Sequence, residues 1–374
     1  MKNLELLIEK TTAANHKKNQ QYHKDKLISD YDMLDNRTVY MILEHINYSI
    51  NIRKRLNKVN IDIKCRTISD LSTLVVLETI FFYLVKSLKI EIKYNFINHV
   101  KLIEAEPIYR NTLLKKYNNV LLSDTDFLDI FESKNTDLNS YRVFCENDRE
   151  NLETDLMSKY TTDIYLTTKN FSNKHIASEI QELCGEIINN TLEHSDGDSI
   201  ISIVFEKFEN KFFYIYLSSV SITNILLGQK ICELIGRNDF GIINNGDVVK
   251  KAYSNQKAYF SEKYGIEDFS MISAFQQYVS TRKDSLGSGG TGLTTLLKKL
   301  QGRIVSEKAT YCYAHSGSKT LFFYPKFLNI NDDGSIGFNN KNDFINEPPS
   351  HETYQKLQKY FPGTIFNIAF IFEI

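Results

Sequence analysis

Glu186-Ile187-Ile188-Asn189-Asn190-Thr191-Leu192-Glu193-His194-Ser195, answered further along by Gly287-Ser288-Gly289-Gly290-Thr291-Gly292-Leu293, decides how this chain folds. The first stretch closes a run with helical spacing. Ile180, Leu183, Ile187 and Ile188 form an apolar stripe, while Glu186 and Asn190, one turn apart, share another face. A carboxylate and an amide thus point into one space. That pairing suits metal-assisted phosphate chemistry, because Mg²⁺ takes one or two protein oxygens together with phosphates and water, and a carboxylate orients or deprotonates a water. The glycines complement it: they let the backbone adopt positive φ and approach a polyphosphate closely, and a helix starting at Gly292 aims free N–H groups at anionic oxygens. Arg282 and Lys283 precede the loop, as γ-phosphate partners or as ordinary solvated charges. Taken singly, each motif has a plain alternative: E-x-x-x-N on a solvated helix, or a glycine-rich surface turn. Their order, with Gly363-Thr364 near the end, favours a nucleotide site.

At these residues the chain resembles the GHKL superfamily, the Bergerat-fold ATPases that include DNA gyrase, the ninety-kilodalton heat-shock chaperones and the sensor histidine kinases. Glu186 to Asn190 stands where the family carries its N box, and Glu193-His194-Ser195 resembles a frequent extension of that box. Gly287 to Leu293 resembles the second glycine box, and the residues through Gly302 and Val305 resemble the helix, turn and strand that follow it. Pro362-Gly363-Thr364 with the apolar run behind it resembles the last box and closing strand. The resemblance spans residues 163–374. It implies a C-terminal Bergerat-type α/β sandwich, a mixed sheet with helices on one face, preceded by a small N-terminal α/β domain. It implies ATP and Mg²⁺ as cofactors, Glu186 as the catalytic residue and Asn190 as the metal ligand. Asn190, Arg282, Gly287, Ser288, Gly289, Gly290, Thr291, Gly292, Leu293 and Thr364 would contact the nucleotide, Thr364 at the base. The family's first glycine box, Asp-x-Gly-x-Gly, is missing: the strand at 212–217 runs into Ser218-Ser219-Val220-Ser221. A serine holds an adenine amino group less firmly than a carboxylate, so moderate preference for ATP over GTP is expected. The implied activity is slow Mg²⁺-dependent ATP hydrolysis, with lid closure signalling to the N-terminal part or to a protein partner. A protein kinase of histidine or anti-sigma serine type, and a nucleotide-sensing module without turnover, stand as alternatives.

With 374 residues, 42% of them hydrophobic and 12% aromatic, the chain is long and apolar enough for sizeable cores. Formal charge is −1, with 45 basic against 46 acidic residues, which disfavours nucleic acid and an anionic membrane surface as partners. Five cysteines stand singly, without CxxC or Cys/His pairing, as expected of inert reduced thiols in a cytoplasm. Charges interrupt the first ten residues, a poor signal peptide, and the apolar run at 74–85 is broken by Glu78 and too short to cross a bilayer. A cytoplasmic protein follows, with a homodimer compatible.

Along the chain, residues 1–35 read as a polar arm, with Lys17-Lys18 and Gln20-Gln21 leaving no apolar face. A small α/β regulatory or interaction domain is expected at 36–150, with a helix from 37, a strand at 59–63, a helix capped by Asp70, and a strand at 90–96. Its strand, Asp-Leu-Ser, helix, strand order resembles STAS-type regulatory modules. The charged, Asn-rich 134–162 reads as the junction. The ATP-binding domain, 163–374, reads as a strand at 163–167, the N-box helix at 173–194, strands at 199–206 and 211–217, and a helix near 224–235. An irregular lid at 237–265 follows, then helices at 269–279 and 294–300, and strands near 302–307, 310–314, 319–324 and 364–373.

Overall fold

Residues 71–85 carry apolar or small side chains on almost every side, and a helix so composed is stable only when surrounded. In the computed structural model it is surrounded: α1, Leu71–Lys86, lies between two sheets, and every residue from 71 to 85 is buried. The structure describes residues 26–35, 39, 42, 58–86, 88–97, 120–122, 140–145, 154–194, 197–208, 211–281, 292–304 and 312–373. The helix starts where expected: Asp70 Oδ1 accepts the Thr73 N–H at 2.8 Å, a side-chain cap for one of the first-turn donors.

One sheet holds β1 (Lys26–Leu34), β2 (Lys58–Ile68), β3 (Glu91–Ile97) and β4 (Leu121–Leu122), in that order. β1, β2 and β3 pair in parallel, with α1 as the crossover from β2 to β3, and β4 is antiparallel. Lys26–Leu34, inside the stretch expected to be a polar arm, is therefore a paired strand. Its Leu27, Ile28, Tyr31 and Met33 set it apart from the polar residues before it.

The second sheet runs β5-β6-β7-β9-β8, built from β5 (Ser140–Cys145), β6 (Ser199–Phe208), β7 (Phe212–Ile222), β8 (Tyr313–Phe322) and β9 (Tyr354–Glu373). Where a mixed sheet was expected, all its described pairings are antiparallel, that of β6 with β7 through a hairpin. β5, from the stretch taken as a junction, is its edge. The strands near 310–314 and 319–324 are one strand, β8. Of the strand near 302–307, residues 302–304 contribute a single bridge, Ile304 to Phe370, and the rest lies outside the described residues.

Both faces of this sheet are covered. Ile200, Val204, Val220, Ile222 and Ile365 join the apolar residues of α1, β2 and β3 in one core. On the other face, Ile203, Phe213, Leu217, Ile368 and Phe370 pack with α3 (Lys174–His194) and its neighbours. α3 follows α2, Thr154–Lys169. Residues 163–167, expected as a strand, belong to α2: Ile164, Thr167 and Thr168 lie on one helical face and are buried, and Thr168 Oγ1 donates to Ile164 O at 2.7 Å. α3 begins as expected, with Asn173 Oδ1 accepting the Ile176 N–H at 3.0 Å.

After β7 come α4 (Gln229–Gly236), α5 (Gly246–Gln256) and α6 (Ile266–Ser273), with short 3-10 turns at Phe240–Ile242 and Lys257–Tyr259. The stretch 237–265 is thus largely helical where an irregular lid was expected. Tyr253, Phe260, Phe269 and Tyr264 make ring contacts that hold it against the core. α7, Gly292–Leu300, lies beside α3. The whole is an α/β fold of two sheets with flanking helices. Among the described residues no helix is long and apolar enough to cross a membrane.

Candidate functional site

Glu179, Glu182, Glu186 and Asn190 follow one another at helical spacing along α3. Their partners run the opposite way along α7 and the turn after it. Arg303 pairs with Glu179, its Nη2 donating to Oε1 at 3.1 Å, and Lys299 pairs with Glu182. Arg303 also lies over the Phe372 ring, 4.4 Å from its centroid. The two helices run antiparallel, held by Leu293, Leu296, Leu297 and Leu300 packing in one core with Ile180, Leu183 and Ile187, and the first residue of α7 stands against the last of the series.

That first residue is Gly292, and its lack of a side chain decides the geometry. A Cβ there would stand 2.5 Å from Glu186 Oε2 and 2.9 Å from Asn190 Nδ2. The carboxylate and the amide, far from Gly292 in sequence, are thus in van der Waals contact with the helix start that follows the glycine segment. Asn190 Nδ2 donates to Glu186 O at 2.7 Å, which holds the amide in place, with Nδ2 the end nearer Gly292. The N-terminus of α7, the positive end of its dipole, stands beside the pair. Leu293, next along, is buried in the core and anchors that helix start. Arg282, Gly287, Ser288, Gly289, Gly290 and Thr291 lie outside the described residues.

Thr364 stands elsewhere, on β9, at the end of the sheet that α3 covers. Its Oγ1 is 2.8 Å from Ser316 Oγ, and Ser316 Oγ accepts the Leu227 N–H at 2.9 Å. Its chain neighbour Gly363 could carry no side chain: a Cβ would fall 1.9 Å from Ser221 O, so β9 presses its backbone onto β7 here. No direct contact joins Thr364 to Glu186 or Asn190 among the described interactions. The link is indirect. Thr191, the residue after Asn190, has its Oγ1 2.9 Å from Ser219 Oγ on β7.

Sequence reasoning left Ser218 and Ser219 as an undivided gap where a carboxylate was expected, and the structure separates them. Ser219 faces α3. Ser218 faces α1, its Oγ 2.8 Å from Ser72 Oγ, and Asn367 Oδ1 beside it accepts from the Ser72 N–H at 3.2 Å and Ser72 Oγ at 2.9 Å. Tyr313 donates to Asp70 Oδ2 at 3.1 Å in the same interface, and burial raises the Asp70 carboxyl above its ordinary range. Thr191 and Ser316 were missed, and the facing of Ser219 and Ser221 had one available signal. In β7 the core-facing phase Phe213, Ile215, Leu217 continues into Ser219 and Ser221.

The described cysteines are free thiols, and burial pushes Cys65 up to about 11 and Cys312 up to about 12, which makes them poor nucleophiles. No protein-family model matches the chain, and neither a curated protein nor a solved structure matches it.

Proposed function

We propose that this chain is a nucleotide-binding protein of GHKL type that hydrolyses ATP slowly with Mg²⁺, its site lying between α3 and α7. The observation that carries the proposal is the convergence of Glu186 Oε2 and the Asn190 amide on the Cα of Gly292. One acceptor-only group, one amide oxygen and a helix N-terminus at the end of a glycine-rich segment form a donor and acceptor set suited to a metal-bound polyphosphate. The order of helix, two strands, helices, glycine segment, helix and closing strands is also that of a Bergerat-type domain.

In this reading Asn190 Oδ1 would hold the cation. Bound Mg²⁺ supplies neutralisation of the phosphate charge. Glu186 holds and orients the attacking water, and the α7 N–H groups donate hydrogen bonds to phosphate oxygens. Gly292 keeps the approach clear. Burial of α1 against the opposite face of the sheet supports communication with the N-terminal strands, since Ser218 and Ser219 are consecutive residues bonded to α1 and to α3 respectively.

Incubation with γ-labelled ATP and Mg²⁺ tests the proposal. Released phosphate is expected, with turnover falling about 10²-fold or more in Glu186→Ala while nucleotide is retained. Asn190→Ala is expected to lose Mg²⁺-dependent binding. Unchanged hydrolysis in the first variant and unchanged affinity in the second would remove both residues from the site, and label on the protein in place of free phosphate would make it a kinase.

A further inference from the structure

Residues 323–353, which join β8 to β9, form neither helix nor strand apart from one 3-10 turn at Pro325–Phe327. A connection of that length without regular structure is uncommon in a compact domain and is usually functional. This one is packed into the molecule: Phe323, Leu328, Ile336, Phe338 and Phe344 belong to the core that α3 and α7 share. It is also braced internally. Asn339 Oδ1 accepts the N–H groups of Lys341 at 3.2 Å and Asp343 at 3.1 Å, and Asn342 Nδ2 donates to Asn331 Oδ1 at 2.7 Å. Phe338 is held at a φ of 53°, a left-handed conformation costly for a bulky residue, which persists only where the surroundings impose it. The loop grips the rest of the chain at Gln276. That side chain, 2% exposed, takes up both main-chain groups of one loop residue: Nε2 donates to Ile336 O at 3.1 Å, and Oε1 accepts the Ile336 N–H at 2.9 Å. Directly before it, Phe275 lies beyond the end of α6, and its carbonyl accepts from Thr294 Oγ1 at 2.8 Å. Thr294 is buried in the first turn of α7, two residues after Gly292. Loop, Gln276, Phe275, Thr294 and Gly292 are thus joined, step by step, to Glu186 and Asn190.

We infer that the β8–β9 loop is a strap that positions the start of α7 for phosphate release, with Gln276 and Thr294 as its positioning residues; the assignment rests on the nucleotide reading above. Among the described interactions no bond joins either side chain to Glu186 or Asn190, so both act through the placement of Gly292. The leucines of α7 hold that helix against α3, but apolar contact has no direction and leaves the helix free to slide or turn. A hydrogen bond has direction. The one from Thr294 fixes the rotation of the first turn against Phe275, and the clasp on Gln276 fixes Phe275 in its turn. A displacement of about 1 Å at the reacting groups costs about 10²-fold in rate, so a link that holds the α7 start to that precision bears on turnover more than on binding.

Steady-state phosphate release from Mg²⁺-ATP by the full chain tests this, in the parent, Thr294→Val, Thr294→Ser and Gln276→Met. Melting curves of each variant set a temperature at which all are folded, so that rates are compared apart from stability. Valine nearly keeps the shape of Thr294 and removes its hydroxyl, whereas serine keeps the hydroxyl. Thr294→Val is expected to lower kcat about tenfold or more with KM within about threefold of the parent's, and Thr294→Ser to bring kcat back to within about threefold. Gln276→Met should lower kcat in the same way, and combining it with Thr294→Val should cost less than the product of the two single losses, because the residues act in series. Parent kcat in folded Thr294→Val or in folded Gln276→Met would overturn the strap and leave the ATPase reading standing. So would a serine variant as slow as the valine one. If Gln276→Met does not fold, the valine and serine comparison decides by itself. A parent that releases no phosphate would remove the ATPase reading and this assignment with it.

Discussion

The two faces of the five-stranded sheet treat polar groups in opposite ways. Toward α1, the polar groups are closed on one another: Ser72 with Ser218 and Asn367, Asp70 with Thr73 and Tyr313, Glu78 with Arg142. Toward α3, the Glu186 carboxylate and the Asn190 amide stand against Gly292, and Ser199 Oγ is buried without a partner among the described residues. On the α1 face the cost of burying polar groups is offset by mutual pairing, which fixes how the two sheets dock; Glu186 and Asn190 are half-buried and keep access to solvent. A buried polar residue is therefore a pointer to a ligand only after its internal partners have been counted.

The sharpest way to break the comparison is to uncouple the α1 face. Glu78, on α1, pairs with Arg142 on β5, both buried. Glu78→Ala leaves a guanidinium inside the protein without its carboxylate, and a loss of about 3–5 kcal/mol is expected. Urea denaturation measures it. The double variant Glu78→Leu with Arg142→Met should recover most of the loss, because an apolar pair of similar volume needs no compensation. If Glu78→Ala is as stable as the parent, the pair is not what locks the sheets together.

How much of this was legible in the sequence follows the same division. α3 could be read because its stripe, its Asn173 cap and its Glu186–Asn190 face are all local to one helix. The α1 cap at Asp70 was readable for the same reason. Residues 163–167 misled because Ile164-Tyr165-Leu166 has strand composition, and only the packing of α2 beside α3 makes them helical. β1 was hidden by its polar surroundings, since its partner β2 lies beyond a long intervening stretch. The facing of Ser199, Ser221, Thr364 and Ser316 could not be read, because it exists only through the register of four strands. Glu186 and Asn190 were recognisable as a pair, but their contact with Gly292 depends on the packing of the α7 leucines against α3.

One residue tests whether the α1 side is as well satisfied as its closed pairs suggest. His315 sits on β8 opposite Ile365, a residue of the α1 core, with Nδ1 2.8 Å from Thr320 Oγ1 and Nε2 buried without a partner among the described residues. Burial pushes its pKa down to about 4 from 6.5. Between those values the unfolded chain binds a proton that the folded one refuses, so stability rises with pH across this window and is lost as pH falls through it, by up to about 3 kcal/mol. Asp70, whose pKa is raised by burial, works in the opposite sense above its ordinary value, so only the difference between parent and variant isolates the histidine. Denaturation from pH 4 to 7 should show a shallower acid loss in His315→Leu. Parallel curves would mean that the imidazole is not held neutral by the fold.

The smallest effect on stability is expected where the functional consequence is largest. Gly292 opens α7 without requiring positive φ, so alanine fits the backbone and removes the entropy that glycine costs within a helix, a gain of up to about 1 kcal/mol. The new methyl would nonetheless stand 2.5 Å from Glu186 Oε2 and 2.9 Å from Asn190 Nδ2. The carboxylate is the free end of a flexible side chain and swings away at little cost, whereas the amide is tethered to Glu186 O and must tilt. Gly292→Ala is therefore expected to melt at or slightly above the parent's temperature while its Mg²⁺-dependent phosphate release drops about tenfold or more, the scale of a misplaced catalytic group. Paired melting and phosphate-release measurements separate the two quantities. Loss of stability without loss of turnover would mean that Gly292 serves the packing of α7 on α3 and that the space beside Glu186 is not a site.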